Sequence, residues 1–322
     1  MSRLPEKEIV FFGGKGGVGK TTLAATFALR AARRRVRTLL VSTDPAHSTS
    51  DVLETGLGPE PKLVTAHCWA MEIDPERETG RYIDDVKRRI AETTTPRLLE
   101  EVERQVDIAR ISPGSEEAAL FERFTHIIEG SVGEYDTIVF DTAPTAQTLR
   151  LLSLPELMNA WVGGLIKRRK KLNALSRMWR NVAGAAAGDD THGEDPVLQT
   201  LEHRQNRFHR ARQILTDAGK TAFMFVVTPE RLPIVETERA VATVEKYGIP
   251  VAAVFVNRVL PSDAEGEFLD RRRERETEYL DRIERAFGNH PLYRVPLMDS
   301  DVVGVDALLH LSVTRSGVGE VI

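Results

Sequence analysis

The segment FFGGKGGVGKTT, residues 11–22, carries two lysines, Lys15 and Lys20, inside a run of glycines. Gly14, Gly19, Lys20 and Thr21 satisfy the spacing G-x-x-x-x-G-K-[ST]. Glycines at such spacing let consecutive backbone N–H groups converge on phosphate oxygens without interference from Cβ atoms. The expected phosphate cradle is Gly14, Lys15, Gly16, Gly17, Val18, Gly19, Lys20, Thr21 and Thr22. Within it Lys20 is expected to reach the β- and γ-phosphates and the Thr21 hydroxyl to ligate Mg²⁺. The side chain of Lys15 does not fit that cradle, because two ammonium groups there would repel each other. It is expected to point outward, toward a phosphate bound elsewhere; the competing reading is a solvated surface lysine. Two carboxylates complete the candidate chemistry. Asp44 follows one apolar run, where it could orient an attacking water, and Asp141 ends another, where it could hold Mg²⁺ through water.

Placing these groups requires strands that end together and a helix that starts at the loop. Short apolar runs occur at 8–12, 36–43, 68–74, 135–141, 221–228, 250–259 and 292–297. Their length and their lack of polar alternation fit parallel strands buried on both faces. Between them lie helical patterns: an Ala-rich stretch from Thr21 that ends in three arginines, and residues 236–248, which close on a glycine. This alternation predicts an α/β fold with a doubly wound, mostly parallel sheet. Two long segments interrupt the rhythm. The expected organisation is a core of residues 1–75, 131–150 and 216–322, with helical insertions at 76–130 and 151–215. In the second insertion Met158, Trp161, Val162, Leu165 and Ile166 form a wide apolar face, followed by the basic run Lys167 to Lys171.

Bulk properties exclude several classes. The 322-residue chain has a formal net charge of −4, so it offers no basic excess for a nucleic-acid backbone. Its single cysteine, Cys68, supports neither an intramolecular disulfide nor a multi-thiolate metal site. No 18-residue apolar run and no leader-like N-terminus is present, so a cytoplasmic protein, at most peripheral to a membrane, is expected.

The loop resembles the deviant Walker A motif of dimeric P-loop ATPases, in which the extra lysine crosses to the partner's nucleotide. The segments STDPAHSTSDVL (42–53) and DTAPTAQTLRLLSLPE (141–156) resemble the two switch regions of one family. That family unites arsenical pump-driving ATPases (ArsA) with the Get-pathway ATPases that deliver tail-anchored membrane proteins. PGSEEA (113–118), ETER (236–239), VNR (256–258) and VPLMDSDVVGVDAL (295–308) extend the likeness over nearly the whole chain. The resemblance implies a P-loop NTPase fold with an inserted helical subdomain, Mg²⁺-dependent ATP hydrolysis and a homodimer whose assembly follows the nucleotide. It assigns catalytic roles to Asp44, Lys15 and Lys20 and nucleotide contacts to Glu230, Asn257 and Pro296, with Asn257 on the adenine edge and Pro296 packed on the base. It also implies a partner: an apolar transmembrane segment of a client protein, bound in a groove lined by Met158, Trp161, Val162, Leu165 and Ile166, or else a membrane permease. Packing of that helix on a neighbour is the alternative to the groove. Activities left open are client delivery, energising of arsenite or antimonite efflux, and a non-enzymatic holdase with structural nucleotide. The chain departs from the family pattern at Ser48, at Ala146 and Gln147 of the second switch, and at Gly266 and Leu269, where a zinc-binding C-x-x-C pair would stand. Zinc is therefore not expected, and no arsenite-binding thiol set is present.

Overall fold

The computed structural model describes residues 7–44, 48–93, 115–130, 133–142 and 196–316, together with Gly164 and Lys167. Met158, Trp161, Val162, Leu165, Ile166, Ala146 and Gln147 lie outside these residues.

The apolar runs form strands as expected. They are β1 (Ile9–Gly14), β2 (Thr38–Ser42), β4 (Cys68–Glu72), β5 (Thr137–Asp141), β6 (Thr221–Val227), β7 (Val251–Val259) and β8 (Leu292–Pro296). Two short strands were not anticipated: β3 (Lys62–Thr65) and β9 (Thr314–Arg315). All nine make one sheet in the order β3-β4-β2-β5-β1-β6-β7-β8-β9. The seven apolar strands run parallel, while β3 and β9 pair antiparallel at the two edges. In register, Phe12 of β1 lies beside Asp141 of β5 and Met224 of β6, and Ser42 of β2 also lies beside Asp141. The carboxyl ends of β2, β5 and β1 are thereby level. They bring Ser42, Asp141 and the start of the glycine loop to one end of the sheet.

The helices are α1 (Lys20–Arg33), α2 (Ser48–Val52), α3 (Pro75–Thr93), α4 (Ser115–Gly130), α5 (Pro196–Thr216), α6 (Arg231–Lys246), α7 (Glu267–Phe287) and α8 (Val305–His310). One sheet face packs on α1 and α8 through Phe12, Leu23, Phe27, Val139, Val226 and Leu308. The other packs on α4, α6 and α7 through Phe11, Phe124, Phe140, Ile234, Ile283 and Phe287. Beneath the glycine loop, Phe11 stacks against Phe124, Phe140 and Phe223 with ring centroids 5.2–5.6 Å apart. Aromatic rings of this size account for much of the apolar area such a core removes from water. They give β1 and β5 a close-packed base from which their polar ends project.

Candidate active site

The loop begins where β1 ends and closes where α1 begins. Gly14 has φ +155°, and a Cβ there would collide with the Val226 carbonyl oxygen of β6. Gly19, the residue preceding α1, is left-handed at φ 93° and ψ 29°; a Cβ there would strike the Asn257 side-chain amide. Gly16 and Gly17 differ from these two. Among the described residues no atom lies within 4 Å of a Cβ built on either, so that side of the loop is open to them. The first turn of α1 carries no acidic residue to offset the helix dipole, which leaves its N-terminus suited to an anion.

Lys20 is 4% exposed and folds back over the loop, its Nζ donating to the Lys15 carbonyl at 3.2 Å. Burial pulls its ammonium below the usual lysine range, and the charges of Asp141 and Asp44 work against that pull. Asp141 is fully buried. Burial pushes its carboxyl up to about 7, against the hydroxyls of Thr21 and Thr49 and the charge of Lys20, while Asp44 adds to the rise. Its Oδ2 accepts from Thr49 Oγ1 at 3.5 Å, and its Oδ1 has no hydrogen-bond partner. Thr21 Oγ1 lies 3.0 Å from Ser48 Oγ. Asp44 follows β2, half-buried, with its N–H directed to Ser42 Oγ at 3.4 Å. The glycine loop, α2 and the ends of β2 and β5 thus converge at one end of the sheet. Lys15 turns away from Lys20 and pairs with Glu236 Oε1 of α6 in its own chain at 3.0 Å.

A sequence profile of the family described as anion-transporting ATPase (ArsA) matches residues 7–314. The chain belongs to this family. Among relatives, it is 36% identical over 304 residues to the Aquifex aeolicus protein named "Putative arsenical pump-driving ATPase 2", covering 94% of this chain and 97% of that one. It is 34% identical to ATPase GET3A of Arabidopsis thaliana, covering 93% and 81%. It is 30% identical to ATPase ASNA1 homolog 2 of Paramecium tetraurelia, covering 94% and 92%. The ArsA-family chain described here is accordingly an ATPase, and ATP with Mg²⁺ follows from that activity. Its residues fit both. The orphaned Oδ1 of Asp141 is a buried acceptor with nothing to accept from, a condition that a hydrated cation relieves. The open side of Gly16 and Gly17 leaves room for phosphate.

Farther along the same sheet end is a cleft of about 630 Å³ lined by Thr228, Glu230, Arg258, Arg271, Arg275 and Leu297, among others. Of the three expected nucleotide contacts, Glu230 lines it. Asn257 and Pro296 do not line it, although their chain neighbours Arg258 and Leu297 do. Asn257 is turned toward the phosphate loop, its Nδ2 donating to the Val18 carbonyl at 2.8 Å. The register of β7 shifts between Val256 and Val259, and Arg258 takes φ 60°, so this strand end does not simply alternate. Four residues enter the arrangement without an assigned role in the sequence reading. Glu236 lay in a motif already noted. Thr49 and Ser50 lay in the first switch, where hydroxyls beside a conspicuous aspartate were the available signal. Glu72 ends β4 and accepts from both Ser50 N at 2.8 Å and Ser50 Oγ at 2.9 Å.

Proposed function

We propose that this ATPase is a nucleotide-driven homodimeric switch that binds and delivers an apolar client, an exposed membrane-protein segment. Lys20 neutralises charge on the transferring phosphoryl group, Thr21 ligates Mg²⁺, Asp141 holds it through water, and Asp44 orients the attacking water. Lys15 serves the partner's nucleotide. The arginine-bearing cleft beside Glu230 takes the nucleoside end. Residues 76–130 and 151–215 supply the client surface, apart from the side of α4 that packs on the sheet through Phe124, with the Met158 to Ile166 face at its centre. The site of action is the cytoplasm; among the described residues no helix is long and apolar enough to cross a membrane.

The observation that carries this reading over arsenite transport is Cys68. It is the only cysteine, it is 1% exposed in β4, and burial raises its thiol to about 12. Thiolate capture of a metalloid has no other ligand to use. Relatives named for arsenical pumps keep efflux as the second reading. The test is ATP turnover by the purified protein with a tail-anchor peptide, and separately with arsenite or antimonite. Peptide association that changes between ATP and ADP supports delivery. Stimulation by the oxyanion alone, with no peptide bound in any nucleotide state, overturns it. Asp44→Asn retaining full biological activity would identify a holdase instead. Lys20→Ala abolishes turnover if the assigned site is correct.

A further inference from the structure

Asp141 and Thr21 each touch a hydroxyl from α2, and those hydroxyls are consecutive in sequence. Thr49 is fully buried, and its Oγ1 donates to Asp141 Oδ2. Ser48 Oγ lies 3.0 Å from Thr21 Oγ1. Neither contact is a by-product of a loose loop. Ser50, the next residue, donates through both its N–H and its hydroxyl to Glu72, and its Oγ accepts the Leu57 N–H at 3.1 Å. Thr49 also sits inside the helical turn closed by Leu53 N to Thr49 O at 3.0 Å. Its β-branched side chain has few rotamers available in a helix. Of the two that threonine favours there, the one adopted sets the hydroxyl 3.5 Å from Asp141 Oδ2.

The consequence is directional. A carboxylate has two acceptor oxygens, and one must be presented to the cation's water shell. The Thr49 hydroxyl occupies Oδ2 and leaves Oδ1 as the buried oxygen without a partner. A hydroxyl that gives a lone pair to a cation must direct its own proton elsewhere, and Ser48 Oγ stands within reach of the Thr21 proton. Partners of this kind orient the groups that meet a metal, and their loss typically weakens metal affinity about 10–100-fold.

We propose that Ser48 and Thr49 are positioning residues for the divalent cation, Thr49 by fixing the Asp141 carboxylate and Ser48 by taking the Thr21 hydroxyl proton. The inference rests on the assignment of Thr21 and Asp141 to the cation. It makes α2 part of the cation site's outer shell, so the first switch responds to the metal as well as to phosphate.

The test is calorimetric binding of a non-hydrolysable ATP analogue to the full chain, in excess Mg²⁺ and in EDTA. The ratio of the two affinities reads the cation's contribution without turnover. Thr49→Val, which keeps the shape and removes the hydroxyl, is expected to lower that ratio about 10-fold or more with the EDTA affinity unchanged. Thr49→Ser should restore it, and Ser48→Ala should lower it in the same sense. A Thr49→Val ratio within twofold of the parent's, or a loss that Thr49→Ser does not rescue, overturns the proposal. Thr21→Ala and Asp141→Asn separate the two levels. If those variants keep the ratio, the cation assignment itself fails; if they lose it while Thr49→Val keeps it, only the positioning role fails.

Discussion

If Lys15 serves a partner's nucleotide, it must first leave Glu236. Glu236→Gln removes the charge and keeps the shape. The pair is close, at 3.0 Å, but its side chains are 32% and 43% exposed. Solvent screens a pair so placed, and it stabilises the separate chain by only about 0.2–1 kcal/mol. A symmetric dimer gives up two such pairs, so Glu236→Gln should favour dimerisation by about 0.4–2 kcal/mol, or roughly 2- to 30-fold in the association constant. Sedimentation velocity across a protein concentration series in saturating ATP analogue measures this directly. The effect should shrink as salt is raised, and it should vanish in a Lys15→Ala background, where nothing remains to be released. Weaker dimerisation of Glu236→Gln, or an unchanged effect in the Lys15→Ala background, would refute the reasoning. Either result would place Glu236 in contacts of its own across the interface.

The loop glycines should separate into two kinds. Gly19→Ala meets a left-handed backbone and the Asn257 amide, and should cost about 2–3 kcal/mol in urea denaturation, from the conformational penalty and one lost hydrogen bond. Gly16→Ala meets no atom of the described residues within 4 Å, so its unfolding midpoint should stay at the parent's while its affinity for ATP falls. Phe124→Ala empties a site packed against Phe11 and Phe140 and should cost about 3–5 kcal/mol, read from the same denaturation curves. Cys68 should be silent to a thiol reagent in the native protein and react fully once unfolded; prompt native labelling would contradict its burial.

The parallel strands were legible because strands buried on both faces must be apolar throughout, and such runs are short and conspicuous. The edge strands were not. β3 is KLVT, exposed at its first two positions, and β9 is two residues long; neither carries a pattern distinct from a loop. The phosphate loop was readable because its chemistry depends on residue type at fixed spacing, and the structure brings Lys20, Thr21, Asp141 and Asp44 to one end of the sheet. What sequence leaves open is orientation where a strand stops. A bulge after Val256 and a left-handed Arg258 accompany an Asn257 turned to Val18 and an Arg258 set in the cleft. The partner of Lys15 was likewise unreadable, since Glu236 lies 221 positions away in sequence and meets it only through the β1–β6 pairing that brings α6 to the loop. The hydroxyls of α2 were visible as residues, but their targets depend on how β2 and β5 align.

The two antiparallel edge strands bear on solubility. An open sheet exposes unpaired N–H and C=O groups at its margins, where a stray extended chain can dock and seed aggregation. Here one margin is four residues long and opens on Lys62, and the other is a two-residue stub ending in Arg315. Short, charged borders offer little ladder to a misfolded strand. Association through the backbone is thereby disfavoured at both margins, and contacts with other chains are left to side-chain surfaces.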